Sequence, residues 1–142
     1  MNGFIRKFIF HIYSISNTDI ESQEWRQKLE DHLKSEDFFH VDSFPHSILD
    51  IKGDQPHSEN KAISNQRILA DLTIRGVTHE INFPFILNQD TNHFIAEGTV
   101  NIDRTLYNMQ YKSGKFFEDL GDKLIYDDFT VQFVVHTEKK HK

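Results

Sequence analysis

QRILADLTIRGVTHEINFPFIL, residues 66–87, carries the strongest pattern in the chain. Ile68, Ala70, Leu72 and Ile74 recur at every second position. Beyond Gly76-Val77-Thr78 the pattern resumes with Ile81, Phe83, Phe85 and Leu87. A period of two belongs to a strand with one buried and one wet face. Arg67, Asp71, Thr73, Arg75, Glu80 and Asn82 supply the wet face. Gly76 provides the backbone freedom of a tight reversal. The stretch therefore predicts an antiparallel hairpin. Pro84 lacks an N–H, so the second strand is at an edge, bulged or unpaired at that point.

Working outward, the segment before the hairpin predicts a strand over 4–14, with Phe4, Phe8, Phe10 and Ile12 on one side and Lys7 and His11 on the other. Asn17-Thr18-Asp19 breaks it, and Thr18 and Glu21 stand at capping-box spacing. A helix over 20–34 follows. Its Trp25, Leu29 and Leu33 form one narrow apolar stripe at i, i+4 and i+8, which is expected to lie on the sheet. A strand over 47–53 and a polar loop over 54–60 lead into the hairpin, whose strands are read as 62–75 and 80–88. Beyond it come a turn at 89–92 and a strand over 93–103, with Phe94, Ala96, Val100 and Ile102 on one face and Gly98 between them. The last strand is expected over 124–137, with Ile125, Phe129, Val131, Phe133 and Val135 inward and Asp127 breaking the set. Residues 138–142 read as a frayed charged tail.

The 142 residues fit one domain, 1–142. A chain of this size buries roughly 68–70% of its unfolded surface, enough for a core. A formal charge of −6, with nine His counted neutral, argues against nucleic-acid partners, which need clustered Lys and Arg. No apolar run approaches the ~20 residues of a membrane span. The N-terminal residues lack the h-region and cleavage site of a signal peptide. The absence of Cys excludes disulfides and thiolate chemistry. Thirteen Phe against two Met and one Trp suit either a dense core or the lining of an apolar cavity.

Three stretches resemble the YceI-like family of polyisoprenoid-binding proteins. The first is Leu72-Thr73-Ile74-Arg75-Gly76-Val77-Thr78. The second is His32-Leu33-Lys34-Ser35 after a helix, then an acidic residue, Phe38-Phe39 and Phe44-Pro45. The third is Ile102-Asp103-Arg104 at a strand end, where Leu106 and Asn108 replace the acidic residue and Gly common in the family. Residues 111–117 and 121–123 resemble one branch of it. The resemblance spans essentially the whole chain, but the two strands that usually precede the segment equivalent to 2–15 are not legible. It implies a mainly β, antiparallel lipocalin-like barrel, N-terminally short and incomplete at about six strands, with one covering helix. It also implies non-catalytic binding of an isoprenoid or other long-chain lipid, with no other cofactor, and a periplasmic setting. The expected lipid-binding lining is Leu29, Leu33, Phe38, Phe39, Leu72, Ile74, Phe83, Phe85, Phe129 and Phe133, opening near the helix and Phe38-Phe39. A second reading is an assembly module, a homodimer formed through open strand edges without ligand.

Other chemistry finds little support. His32 and Glu36 stand four apart, but a third metal ligand is missing, so no metal site is expected. No nucleophile elbow or phosphate-binding glycine loop occurs, and Asp127-Asp128 point to opposite faces of a strand, so no enzyme is expected. Asp127 reads as a carboxylate at the water boundary of a barrel rim. Arg104 reads first as a strand-end residue paired with Asp103 or a carbonyl, and alternatively as a head-group ligand at a pocket mouth.

Overall fold

The computed structural model describes residues 6–56, 66–89, 93–118 and 120–138. Six strands run in chain order: β1 Lys7–His11, β2 His46–Pro56, β3 Gln66–Ile74, β4 Val77–Gln89, β5 His93–Asp103 and β6 Asp128–Glu138. Each pairs antiparallel with its sequence neighbour in one sheet of order β1-β2-β3-β4-β5-β6. The sheet curls into a half-barrel. Among the described residues β1 and β6 do not pair with each other.

The hairpin forms as the alternation requires. Ile74 pairs with Val77, leaving Arg75 and Gly76 as a two-residue turn. Both have positive φ, 52° and 75°, which is the geometry of the tight turn that matches strand twist. Ala70, Leu72, Ile74, Phe83 and Phe85 are buried. On the other face Lys52 Nζ reaches Asp71 at 3.3 Å and Glu80 at 2.7 Å, and Thr73 and Thr78 hydroxyls meet at 2.7 Å. Lys52 is the extra residue of a bulge, since Ile51 pairs with Ala70 and Gly53 with Leu69.

Pro84 marks a change of partner. Through Phe85, β4 pairs with β3; from Ile86 to Gln89 it pairs with β5. The missing N–H thus falls just before β5 takes over. Gly98 of β5 lies so close that an added Cβ would stand 2.9 Å from the Pro84 carbonyl oxygen and 3.0 Å from the Phe133 ring. From Gly98 onward β5 pairs with β6 alone.

The helix, α1 Gln23–Lys34, starts later than the expected 20–34. Ser22 caps it, accepting from the Trp25 N–H, so the Thr18–Glu21 capping box does not form. Asn17 instead folds the approach, its side chain accepting from the N–H groups of Asp19 and Ile20. The stripe divides. Leu33 packs against the core and Leu29 is half-buried, but Trp25 is 60% exposed, with the Lys28 ammonium 4.5 Å from its ring. One turn of helix separates each of these residues, and only the C-terminal end of α1 reaches the sheet.

Other boundaries shift too. The first strand ends at His11, and Ile12–Ser14 form a 3-10 turn. The last strand begins at Asp128, not 124, because Ile125, Tyr126 and Asp127 spend their carbonyls on other partners. Glu138 belongs to β6 and not to the tail, and β2 runs to Pro56. Phe4, most of the 54–60 loop, residues 62–65, the turn at 90–92 and the tail at 139–142 lie outside the described residues.

Candidate functional site

The concave face of the half-barrel gathers most of the expected lining in two groups. At the hairpin-turn end, Phe38, Leu72 and Ile74 join Ile102, Tyr107 and Met109 in a buried cluster, with Leu33, Phe39 and Phe129 packed against it. At the other end Phe83 and Phe85 are buried, and Phe83 meets Phe133 edge to face at 5.6 Å. Ala70, fully buried, lies on the same face of β3 between them. Leu29 is half-buried on the helix and lies outside the buried cluster.

The glycine in β5 makes the second group possible. Gly98 pairs with Phe133, and the absent Cβ lets that ring lean over β5 to reach Phe83 on β4. The inward row of β6 remains only partly covered. Phe129, Phe133 and Val135 are half-buried, and Val131 is 37% exposed although it points into the curl. Phe39 covers Phe129 edge to face at 6.4 Å.

The adjacent phenylalanines diverge. Phe38 enters the cluster, edge to face with His32 and Tyr111, while Phe39 turns toward β6. The end beside them, expected to open, is filled. Tyr107 and Met109 are each 1% exposed there. Sequence reasoning missed both because they sit in a segment without periodicity. A 3-10 turn, Arg104–Tyr107, closes with Asn108 in the left-handed region at φ 62°, which Asn tolerates. His79 Nε2 lies 2.8 Å from the Leu106 carbonyl and its ring is edge to face with Tyr107, joining this turn to β4 where β5 has left it.

Arg104 holds that end together. It is 4% exposed, and its guanidinium donates to the carbonyls of Met109 at 2.7 Å, Tyr126 at 2.9 Å and Ile125 at 3.0 Å. Burial pulls its pKa down, against the nearby Asp127 and Asp103 carboxylates. Arginine remains protonated nonetheless. This is the structural role, with backbone carbonyls as partners. Asp127 sits partly exposed at the strand entry. It accepts from the buried Ser113 hydroxyl, and Lys115 lies 3.8 Å away. Lys115 also donates to Asp103 at 3.0 Å.

The polar groups are therefore engaged in structural pairs. His32 Nε2 faces Asp37 at 2.9 Å rather than Glu36, which follows the helix end and is exposed. Among the described residues no three His, Asp or Glu side chains converge as metal ligands, and no helix is long and apolar enough to cross a membrane. A shallow depression on α1, lined by Gln23, Glu24, Gln27 and Lys28, touches none of the concave face.

A nearest-neighbour antiparallel meander, curled around an apolar concave face and braced by one helix, defines a lipocalin-like binding fold. The YceI-like domain model matches residues 11–137, and the chain belongs to that family. It is similar to UPF0312 protein SAB2563 of Staphylococcus aureus (strain bovine RF122 / ET3-1), with 30% identity over 53% of this chain and 44% of that protein. The match thus spans less than half of the relative. Among solved structures, Burkholderia cenocepacia BcnA superposes with a TM-score of 0.71 at 17% identity, covering 92% of this chain and 72% of that one. The Campylobacter jejuni YCEI protein superposes at 0.68 and 18%, covering 95% and 72%. At such identities the superpositions establish the fold.

Proposed function

We propose that the concave face holds a long apolar chain, an isoprenoid tail or a lipid of comparable length, without chemical conversion of it. The observation that carries this reading is the inward row of β6. Phe129, Val131, Phe133 and Val135 point into the curl and none of them is fully covered, while Ala70, Leu72, Ile74, Phe83 and Phe85 on the same face of β3 and β4 are buried. A chain lying along that row passes from the Phe39–Phe129 pair to the Phe83–Phe133 pair, gaining about 0.8 kcal/mol per buried CH₂ before ordering costs. Membership of a polyisoprenoid-binding family supports the ligand class.

The test is thermal unfolding of the purified chain with a long-chain polyprenol, paired with native mass spectrometry. Binding raises the melting temperature by mass action, and a retained lipid mass appears. Absence of both the shift and the retained mass would refute the reading.

A further inference from the structure

From Phe129 to Val135 the inward residues of β6 stand opposite Ile102, Val100, Gly98 and Ala96 of β5. Gly98 is the one without a side chain, and it faces Phe133. The Phe133 ring takes the space that a side chain at 98 would need. Its Cζ and Cε1 lie 3.0 and 3.2 Å from the place of a Cβ on Gly98. The ring therefore leans across β5, and it meets Phe83 of β4 at 5.6 Å and 78°. Rings at that spacing and angle are in edge-to-face contact, with no gap between them for a methylene chain. Together they form a bar over the concave floor, reaching from β6 across β5 to β4.

On the hairpin-turn side of the bar the floor is aliphatic. Ala70 pairs with Ile81 and Val100 with Val131. Ile81, Val100 and Val131 are not fully covered. At its other end this floor meets the Phe39–Phe129 pair, whose centroids are 6.4 Å apart. An aliphatic stretch thus lies between two aromatic pairs.

We infer that the Phe83–Phe133 bar limits how much of an apolar chain the concave face takes up. This rests on the reading of that face as a lipid site and adds its length selectivity. Phe129 and Phe133 are four residues apart on β6, which at the rise of a strand is about 13 Å, the length of roughly three extended isoprene units. Carbons within that stretch exchange water for the aliphatic floor, and carbons beyond it gain nothing from that floor. Affinity should therefore climb with chain length and then level off. Phe133 is the residue that sets the limit.

The test measures dissociation constants for geraniol, farnesol and geranylgeraniol, prenols of increasing length, by displacement of a fluorescent apolar probe. On the unaltered chain farnesol should bind more than about ten-fold tighter than geraniol, and geranylgeraniol within about two-fold of farnesol. Phe133→Ala removes the bar, so geranylgeraniol should then bind about ten-fold tighter than farnesol. Phe133→Leu keeps an apolar filler without the ring that reaches Phe83, and should move the limit in the same direction. It decides the matter should Phe133→Ala fail to fold. Val134→Ala, on the convex face of the same strand, should leave the limit at farnesol. Affinity that climbs beyond farnesol or levels off before it in the unaltered chain, a limit unmoved by loss of the Phe133 ring, or an equal shift in Val134→Ala would overturn the inference and leave the lipid site standing. Failure to bind a prenol of any length would overturn the lipid reading and this inference with it.

Discussion

The Arg104 guanidinium lies 5.7 Å over the Phe38 ring while its N–H groups reach three backbone carbonyls. One side chain thus ties the loop after the helix, the 104–109 turn and the approach to β6. A lysine carries the same charge but not the planar fork. Arg104→Lys should leave at least one buried carbonyl unpaired and cost roughly 2–4 kcal/mol in urea unfolding. A loss below about 0.5 kcal/mol would show that the fork is dispensable.

Gly98→Ala tests the crossing of β4 and β5. The new methyl meets the Pro84 carbonyl oxygen and the Phe133 ring, so roughly 1–3 kcal/mol of stability should be lost. Adding Phe133→Leu should not restore it, because the backbone oxygen stays. Full rescue would place the constraint in the ring alone.

The helix stripe should split energetically as it does spatially. Leu33→Ala removes a side chain packed on the core and should cost about 2 kcal/mol. Trp25→Ala, on the exposed end, should change stability by no more than about 0.5 kcal/mol. Equal losses in chemical denaturation would mean that both ends of α1 rest on the sheet.

Asp103 should shape the acid limb of stability. Burial alone would raise its pKa; hydrogen bonds from the Thr105 hydroxyl, Lys115 and the Thr105 N–H outweigh it, and the net value falls below 3.8. A depressed folded-state pKa stabilises fully above the unfolded value, near 4, and the stabilisation is lost as pH falls through the folded value. Asp103→Asn should therefore flatten the decline in melting temperature on acidification and lower stability at neutral pH. An unchanged acid limb would exclude Asp103 as its source.

Phe83→Trp separates a lined cavity from a packed core. With a polyprenol bound along β6, the larger ring should weaken binding and leave the unliganded melting temperature nearly unchanged. In a close-packed core it should cost about 1–3 kcal/mol, as read from urea melts.

Much of the fold was legible because strands advertise themselves through alternation. The 66–87 hairpin and the inward Phe129, Val131, Phe133 and Val135 of β6 follow from period two, while the reversal, read as Gly76-Val77-Thr78, is the tighter Arg75-Gly76. The chain ends of elements were less so. Ser22 displaced Thr18 as helix cap because Asn17 folds the approach to the helix with its own side chain. Trp25 reads as part of a stripe, yet spacing along a helix says nothing of where the helix meets the sheet. Tyr107 and Met109, the most deeply buried large side chains, were hidden in an aperiodic segment ordered by Arg104 and His79, that is, by long-range contacts. The lining residues were recognisable as apolar; their division into two aromatic groups depends on Gly98, whose contribution is an absence of atoms.

The strict nearest-neighbour order of the six strands bears on how the chain acquires its shape. Every strand's partner is the one just synthesised, so no strand must wait for a distant segment. Loop-closure entropy is met in small steps, and contact order stays low for a β protein. The sheet is thus suited to growing strand by strand from β1 to β6 during synthesis, each strand adding to the edge offered by the one before.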